Sequence, residues 1–450
     1  MLGRHVGALL SDRRLTGIAS AILGSNLVTS ALGVVFWMLS AQGLAPAAVG
    51  ELGAATAAMG LLGQLGAMGL GPLLISELPG ARPGEQRSLF AVGVLSSLVV
   101  GLVLGLAFGA VAGGWGGTWA PLTAPGPGWW WFGAGCALTA VSFVFDQAML
   151  VIGDPRTQVV RNLVASVWKL AVLGAAFLLS VASVTVALGA WVSGLAVGAG
   201  MAMVAGARRI PGEGMPSRAA LSATVRGFWR AAVAHQGINY ALTVTGMAMP
   251  PLIAFVVSAE DNALYTTARL ATLLGFMIPY AVSISVFARA SGNSDVDEQY
   301  LSRVFWLSLG TSLIICVGVV ALAPVILWFF GTSYVESGTD VLRVMALAGP
   351  LLVFKDQFIA RRRIERRLDS LLAYVIAGGI AEVGFTLFGA WSHGLLGALT
   401  GWLVAMALEA LYAGVMLLRA GPLRVAVPAD PQLGRAGPSG TAASEVVRQS

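Results

Sequence analysis

The side chains that can bind an ion, carry a proton or hold a charged group are few here, and most stand inside long apolar stretches. Lys169, Arg269 and Arg343 are the cations at depth and Asp146, Glu382 and Glu409 the acids. His235, Gln236 and Asn239 form a polar patch, with His235 and Asn239 one helical turn apart. An ionised side chain in hydrocarbon costs about 2.5 to 3.5 kcal/mol on insertion scales, so each needs a partner, a cavity or a route to the surface. Cations lining a cavity would offset the desolvation of a phosphate or diphosphate group. On that reading Lys169 and Arg269, one from each half of the chain, face an anionic substrate, with Arg343, His235 and Asn239 as further binding candidates. A competing reading pairs Lys169 with Asp146 as a structural bridge, lets Arg269 and Arg343 extend to the surface, and gives Arg343 the nearby Asp340. Asp146, Glu382 and Glu409 are candidates to couple substrate movement to an ion or proton gradient, since a membrane potential supplies about 2.3 kcal/mol per charge per 100 mV.

No enzyme chemistry stands beside these groups. The chain carries no Walker-type glycine loop with Lys and Ser/Thr, no His-Glu-x-x-His, and no spaced set of Cys or His ligands. Its three histidines, His5, His235 and His393, are scattered, and Cys136 and Cys316 read as small apolar fillers inside spans. No catalytic group, cofactor, metal or nucleic-acid partner is expected.

What must position these side chains is a set of membrane helices. Hydrophobic residues make up 57% of the chain and charged ones 11%, with mean hydropathy +0.82, more apolar surface than a water-soluble fold of this length can bury. Twelve stretches are long enough to cross a core of about 30 Å. They run roughly 17–40, 51–76, 88–113, 128–152, 158–181 and 184–206, then 228–256, 263–288, 304–329, 341–360, 369–391 and 394–418. Short gaps near Val181 and His393 each split one long apolar block.

Charge orients the set. Every even gap or tail is basic: Arg4, Arg13 and Arg14; Arg82 and Arg87; Arg156 and Arg161; Arg208 to Arg230; Arg289 and Arg303; the run Arg361 to Arg367; Arg419 and Arg424. The odd gaps hold no charge, or only acids such as Glu260, Asp261, Glu336 and Asp340, or His393. Positive flanks remain in the cytoplasm, so both termini are expected there. Trp115, Trp119, Trp129, Trp130 and Trp131 cluster about an outward gap, with Trp328 by another, as indoles at the headgroup level do.

The expected fold class is therefore an all-α polytopic membrane protein of twelve transmembrane helices in two six-helix lobes. The expected divisions are a cytoplasmic surface segment (1–16), an N-terminal lobe (17–206), a basic connector (207–227), a C-terminal lobe (228–418) and a disordered cytoplasmic tail (419–450). The connector reads as an amphipathic surface helix, with Leu221, Val225, Phe228 and Trp229 opposed to Arg218, Arg226 and Arg230. Glycines at 60, 63, 66, 69 and 71 make the second span smooth enough for close helix contact, and Pro250, Pro251, Pro279, Pro324 and Pro350 permit bends in later spans.

Three short patterns carry a family resemblance. Ala41 to Gly50 is similar to a Leu-Gly-Pro-x-x-Tyr-Gly turn after a first span, with Ala45 for the first Gly and Val49 for the Tyr, followed by Leu65-Gly66-x-x-Gly69-Leu70-Gly71. Tyr265-Thr266-Thr267-Ala268-Arg269-Leu270 resembles a Tyr-x-x-Ala-x-Arg/Lys opening of a span, and Val286 to Ser291 a Phe-Pro-Arg stretch in which Ala288 departs. Trp328-Phe329-Phe330-Gly331-x-x-Tyr334 resembles Phe-Gly-x-x-Tyr before a span. These resemble the polysaccharide-export branch of the multidrug/oligosaccharidyl-lipid/polysaccharide exporter superfamily. The resemblance implies a flippase moving a lipid-linked anionic saccharide, on a polyprenyl diphosphate carrier, across a bacterial cytoplasmic membrane, with a polymerase and glycosyltransferases as partners. Its rivals are a cation-coupled multidrug exporter of the same superfamily, which would favour acidic and aromatic cavity residues, an unrelated two-lobe transporter, and a non-transporting scaffold for glycan-assembly enzymes.

Overall fold

The computed structural model describes residues 13–113, 127–152, 155–210, 240, 243–273, 276, 298–365 and 367–419, and among them the α-helix is the only regular element. In chain order the helices are α1 Arg13–Gly43, α2 Pro46–Ala67, α3 Leu70–Glu77, α4 Pro83–Gly113, α5 Pro127–Ile152, α6 Pro155–Leu178 and α7 Val184–Arg209. Then come α8 Thr243–Val256, α9 at residues 259–273, α10 Glu298–Trp328, α11 Thr332–Ala346, α12 Ala348–Ile364 and α13 Leu368–Arg419. Seven helices among the described residues are long and apolar enough to cross a bilayer.

Both short gaps expected from the apolar blocks are present as breaks. The chain leaves α6 through Ser180 in the left-handed region (φ 57°), and Ser183 caps α7 by accepting a bond from the Val186 N–H. In α13 the helix is interrupted at His393 and Gly394, where Gly394 adopts φ 59° and ψ −141°. The two arms then pack so closely that a Cβ on Gly389, Gly397 or Gly401 would collide with the backbone of the opposite arm. Here glycine is required by contact distance.

Two expected boundaries are corrected. The second span is not continuous: Met68 (φ 47°) and Gly69 (φ 71°) are both left-handed, ending α2 and starting the short α3. Pro72, at the third position of α3, has no N–H to offer to the preceding turn, so the break falls where a continuous helix would lose a bond anyway. Residues 331–340, expected as an outer gap, are helical instead. Gly331 (φ 129°) starts α11, which buries Tyr334, Val341 and Leu342 on one side. With α12 it forms a 33-residue apolar unit, about 50 Å at 1.5 Å per residue, so its ends project past a core of about 30 Å.

The largest apolar cluster draws on both halves of the chain: Phe36, Leu52, Met59, Phe132 and Leu188 with Ile253, Tyr265, Leu327, Tyr334 and Leu399. At one end of the molecule the halves touch directly. The Asn262 side-chain amide donates to the Gly50 carbonyl (2.7 Å), Gln42 donates to the Phe329 carbonyl (2.8 Å), and a Cβ on Gly50 would collide with the Ala259 carbonyl. Ser258 fixes the start of α9 at this seam, since its hydroxyl accepts from the Asp261 N–H and donates to the Asp261 carboxylate. Trp130 and Trp328, expected at headgroup level, are exposed. Residues 114–126, which hold Trp115 and Trp119, and residues 211–239, which hold most of the expected connector and the start of the seventh span, lie outside the described residues.

Candidate functional site

Along α2, the seam residue Gly50 lies about 20 Å before Gln64, at 1.5 Å per residue. Beyond the seam the halves separate around a cavity of about 780 Å³. The break between α2 and α3 faces it: Gln64, Ala67, Gly71 and Pro72 are on its wall, with Phe143 and Gln147 of α5. From the later half come Thr243, Thr245, Met247 and Met249 of α8, Tyr265, Arg269 and Thr272 of α9, and Lys355, Asp356 and Arg363 of α12, with Glu382 and Trp402 from the two arms of α13. Thr243 donates to the Gln64 side-chain oxygen (3.0 Å), a polar bridge between the halves on the wall.

The charged centre at this wall joins two of the expected coupling candidates, Glu382 and Glu409, to Lys355, which sequence reasoning missed. Lys355 Nζ lies 2.6 Å from Glu382 Oε1 and 2.7 Å from Glu409 Oε2. The Trp402 indole N–H donates to the other Glu382 oxygen (3.0 Å). Tyr374 donates its hydroxyl to the Glu409 backbone carbonyl (3.2 Å), pinning the two arms of α13 together beneath the cluster. Gly378 makes the space, because a Cβ there would fall 2.5 Å from the Glu409 carboxylate. Two acids at depth demanded a cation, and one signal pointed to it: of 27 basic residues only two are lysines, Lys169 and Lys355, and both stand in apolar sequence.

The other candidates divide. Arg269 is on the cavity wall, one turn from buried Tyr265. Lys169, expected either beside Arg269 or paired with Asp146, does neither. Its ammonium sits over the Trp191 ring (4.1 Å from the centroid) and near Phe36 (5.7 Å), where ring quadrupoles replace a counter-ion. Asp146 instead pairs with buried Arg161 (2.5 Å) and also accepts from Gln158 (3.2 Å), while the Arg161 guanidinium lies over Phe145. Arg343 is half exposed, pairs with Asp340 (3.2 Å) and is not among the wall residues. His235, Gln236 and Asn239 lie outside the described residues. The basic run after α12 is also sorted by folding, since Arg361 and Arg362 pair with Glu365 while Arg363 reaches the cavity. Among the described residues no group of acids, histidines and cysteines is arranged to hold a metal ion.

A family model described as polysaccharide biosynthesis protein matches residues 291–425. No curated protein matches the chain. Among solved structures, an inward-facing multidrug resistance MATE family transporter of the MOP superfamily shares 17% identity over 87% of this chain and 96% of its own, with a TM-score of 0.63. The lipid II flippase MurJ in an inward closed conformation shares 11% over 88% and 87%, with a TM-score of 0.69. A MOP superfamily transporter from Pyrococcus furiosus Vc1 (DSM3638), described as having a binding pocket of reverse polarity, shares 17% over 89% and 93%, with a TM-score of 0.54. Identities of this size carry the fold, and the chain is thus an all-α, multi-pass membrane protein built on the fold of MOP superfamily transporters.

Proposed function

We propose that this chain is a secondary exporter of amphiphilic molecules, coupled to a cation gradient through the Lys355, Glu382 and Glu409 cluster. The observation that carries this reading is the cavity itself, lined by both halves and closed at one end by the Gly50 to Ala259 seam. Twelve crossings in two lobes, at 17–206 and 228–418, with both termini cytoplasmic, would turn the seam outward and open the cavity to the cytoplasm. Its wall suits varied cargo. Met247, Met249, Met345 and Met406 are unbranched and polarisable, and with Phe143, Phe276 and Trp402 they re-pack around different apolar shapes. Arg269, Arg363, Asp356 and Glu382 offer charges of both signs around them.

A second reading has its own support. The match to a polysaccharide biosynthesis model over residues 291–425, the likeness to MurJ and the cations Arg269 and Arg363 favour a lipid-linked saccharide as cargo. One experiment separates the two. Everted vesicles from cells producing the protein should accumulate a fluorescent amphiphilic cation when an ion gradient is imposed, and Glu382→Gln at equal membrane level should abolish this. Unchanged dye movement, with inner-leaflet lipid-linked saccharide building up in cells that lack the protein, would overturn the exporter and leave the flippase.

A further inference from the structure

The Lys355 cluster contains one ammonium and two carboxylates whose side chains are 17%, 7% and 6% exposed in the order Lys355, Glu382, Glu409. A surplus negative charge so placed is expensive, and two carboxylates sharing one site relieve it by taking up a proton. The hydrogen bonds distinguish the carboxylates. Glu382 has a donor on each oxygen, Lys355 on Oε1 and Trp402 on Oε2, which suits an ionised group. Glu409 Oε2 lies 2.7 Å from the Lys355 ammonium and its carboxyl neighbours that of Glu382, but both of its oxygens are buried and neither has a well-oriented hydrogen-bond donor among the described residues. Position adds a third distinction: Lys355 and Glu382 stand on the cavity wall, whereas Glu409 is not among the wall residues and is backed by Gly378.

We propose that Glu409 is the proton-carrying group of the cluster and that Lys355 is a tethered cation filling the seat between the two carboxylates that a coupling metal ion would otherwise take. Protons, not sodium, then drive the exporter proposed above, and this inference rests on that reading only for what the proton gradient moves. The seat is complete without a diffusible ion. The ammonium lies within 2.7 Å of both carboxylates, and a metal ion could enter only by displacing it. Other titratable groups face the cluster without contacting the Glu409 carboxylate: Asp356 beside Lys355 on α12, Tyr374 and Tyr412 on the two arms of α13, and Tyr265 with Arg269 on α9. Tyr374 is committed to the Glu409 backbone, and the described wall residues beside the Glu409 carboxylate are Lys355 and Glu382. Any movement of α12 that withdraws Lys355 therefore exposes Glu409 and deprives both carboxylates of their cation together.

The test needs no transported substrate. A hydrophobic carbodiimide reacts with protonated carboxyl groups, and peptide mass spectrometry of the full-length protein in lipid nanodiscs reports which glutamate is modified. At neutral pH Glu409 should be modified several-fold faster than Glu382, because only a protonated carboxyl group reacts. Sodium should not protect Glu409 in the unaltered protein. It should protect Glu409 in Lys355→Ala, where the two-carboxylate seat is vacated, provided the variant remains monodisperse. Should that variant aggregate, the unaltered protein decides alone through the labelling ratio. Preferential labelling of Glu382, an unreactive Glu409, or sodium protection without any substitution would each overturn the proposal. Failure of dye export with the labelling pattern intact would overturn the exporter reading and leave the proton site standing.

Discussion

Lys355 changes what the two buried glutamates mean. Alone at depth, Glu382 and Glu409 would each bear the full cost of an isolated charge; held on one ammonium and an indole N–H they form a compact polar knot on the cavity wall. Removing one member of such a knot leaves the rest unpaired. Lys355→Met should therefore lower unfolding stability by about 3 kcal/mol, and Lys355→Met combined with Glu382→Gln should recover most of that loss, as followed by denaturant unfolding in detergent. Lys169 makes the opposite case. Its ammonium rests on Trp191 and Phe36, so Trp191→Leu should cost about 1 to 2 kcal/mol in the same assay, partly through lost cation–π attraction, while leaving export unchanged. Loss of export in Trp191→Leu at full stability would instead give Lys169 a part in the cargo path.

Helix breaks place these residues where they can act. The turn from α2 to α3 passes through two left-handed residues, and only one of them is a glycine. An L side chain there costs about 1 to 2 kcal/mol, so Met68→Gly should raise stability by about 1 kcal/mol and Gly69→Ala should lower it by a similar amount. If both substitutions are neutral, the break is relaxed in solution. The seam is a second such element. The Gly50 to Ala259 approach leaves no room for a side chain, so Gly50→Leu should force α2 and α9 apart. A cysteine placed at Thr266, which packs against Gly53, should then react with an impermeant thiol reagent from outside the cell far faster than in the parent.

Across the molecule, the seam and the cavity occupy successive stretches of the same helices, α2 and α9, with Gly50 and Asn262 at the seam and Gln64 and Arg269 on the cavity wall. The charge pattern sets an expectation for the sides. Tags inserted after Gly206 and after Ala259 should report opposite faces of the membrane, the first cytoplasmic and the second external. Equal reporting from the two would overturn the single crossing expected between them, and exchanged faces would reverse the direction in which the cavity opens.

Sequence by itself determined that the chain is helical and crosses the membrane repeatedly, because hydrocarbon admits only segments that satisfy their own backbone, and the apolar stretches display this directly. It also marked Glu382, Glu409 and Arg269 as residues needing an explanation, since a charge at depth is costly whatever surrounds it. Partners were another matter. That Lys355 and not Lys169 serves the two glutamates, that Asp146 belongs to Arg161, and that Arg363 leaves its basic run for the cavity depend on which helix faces meet. Only the tertiary structure decided these, because side chains from residues 355, 382 and 409 converge through the fold-back of α13 and the packing of α12 against it, a proximity that hydropathy along one chain does not encode.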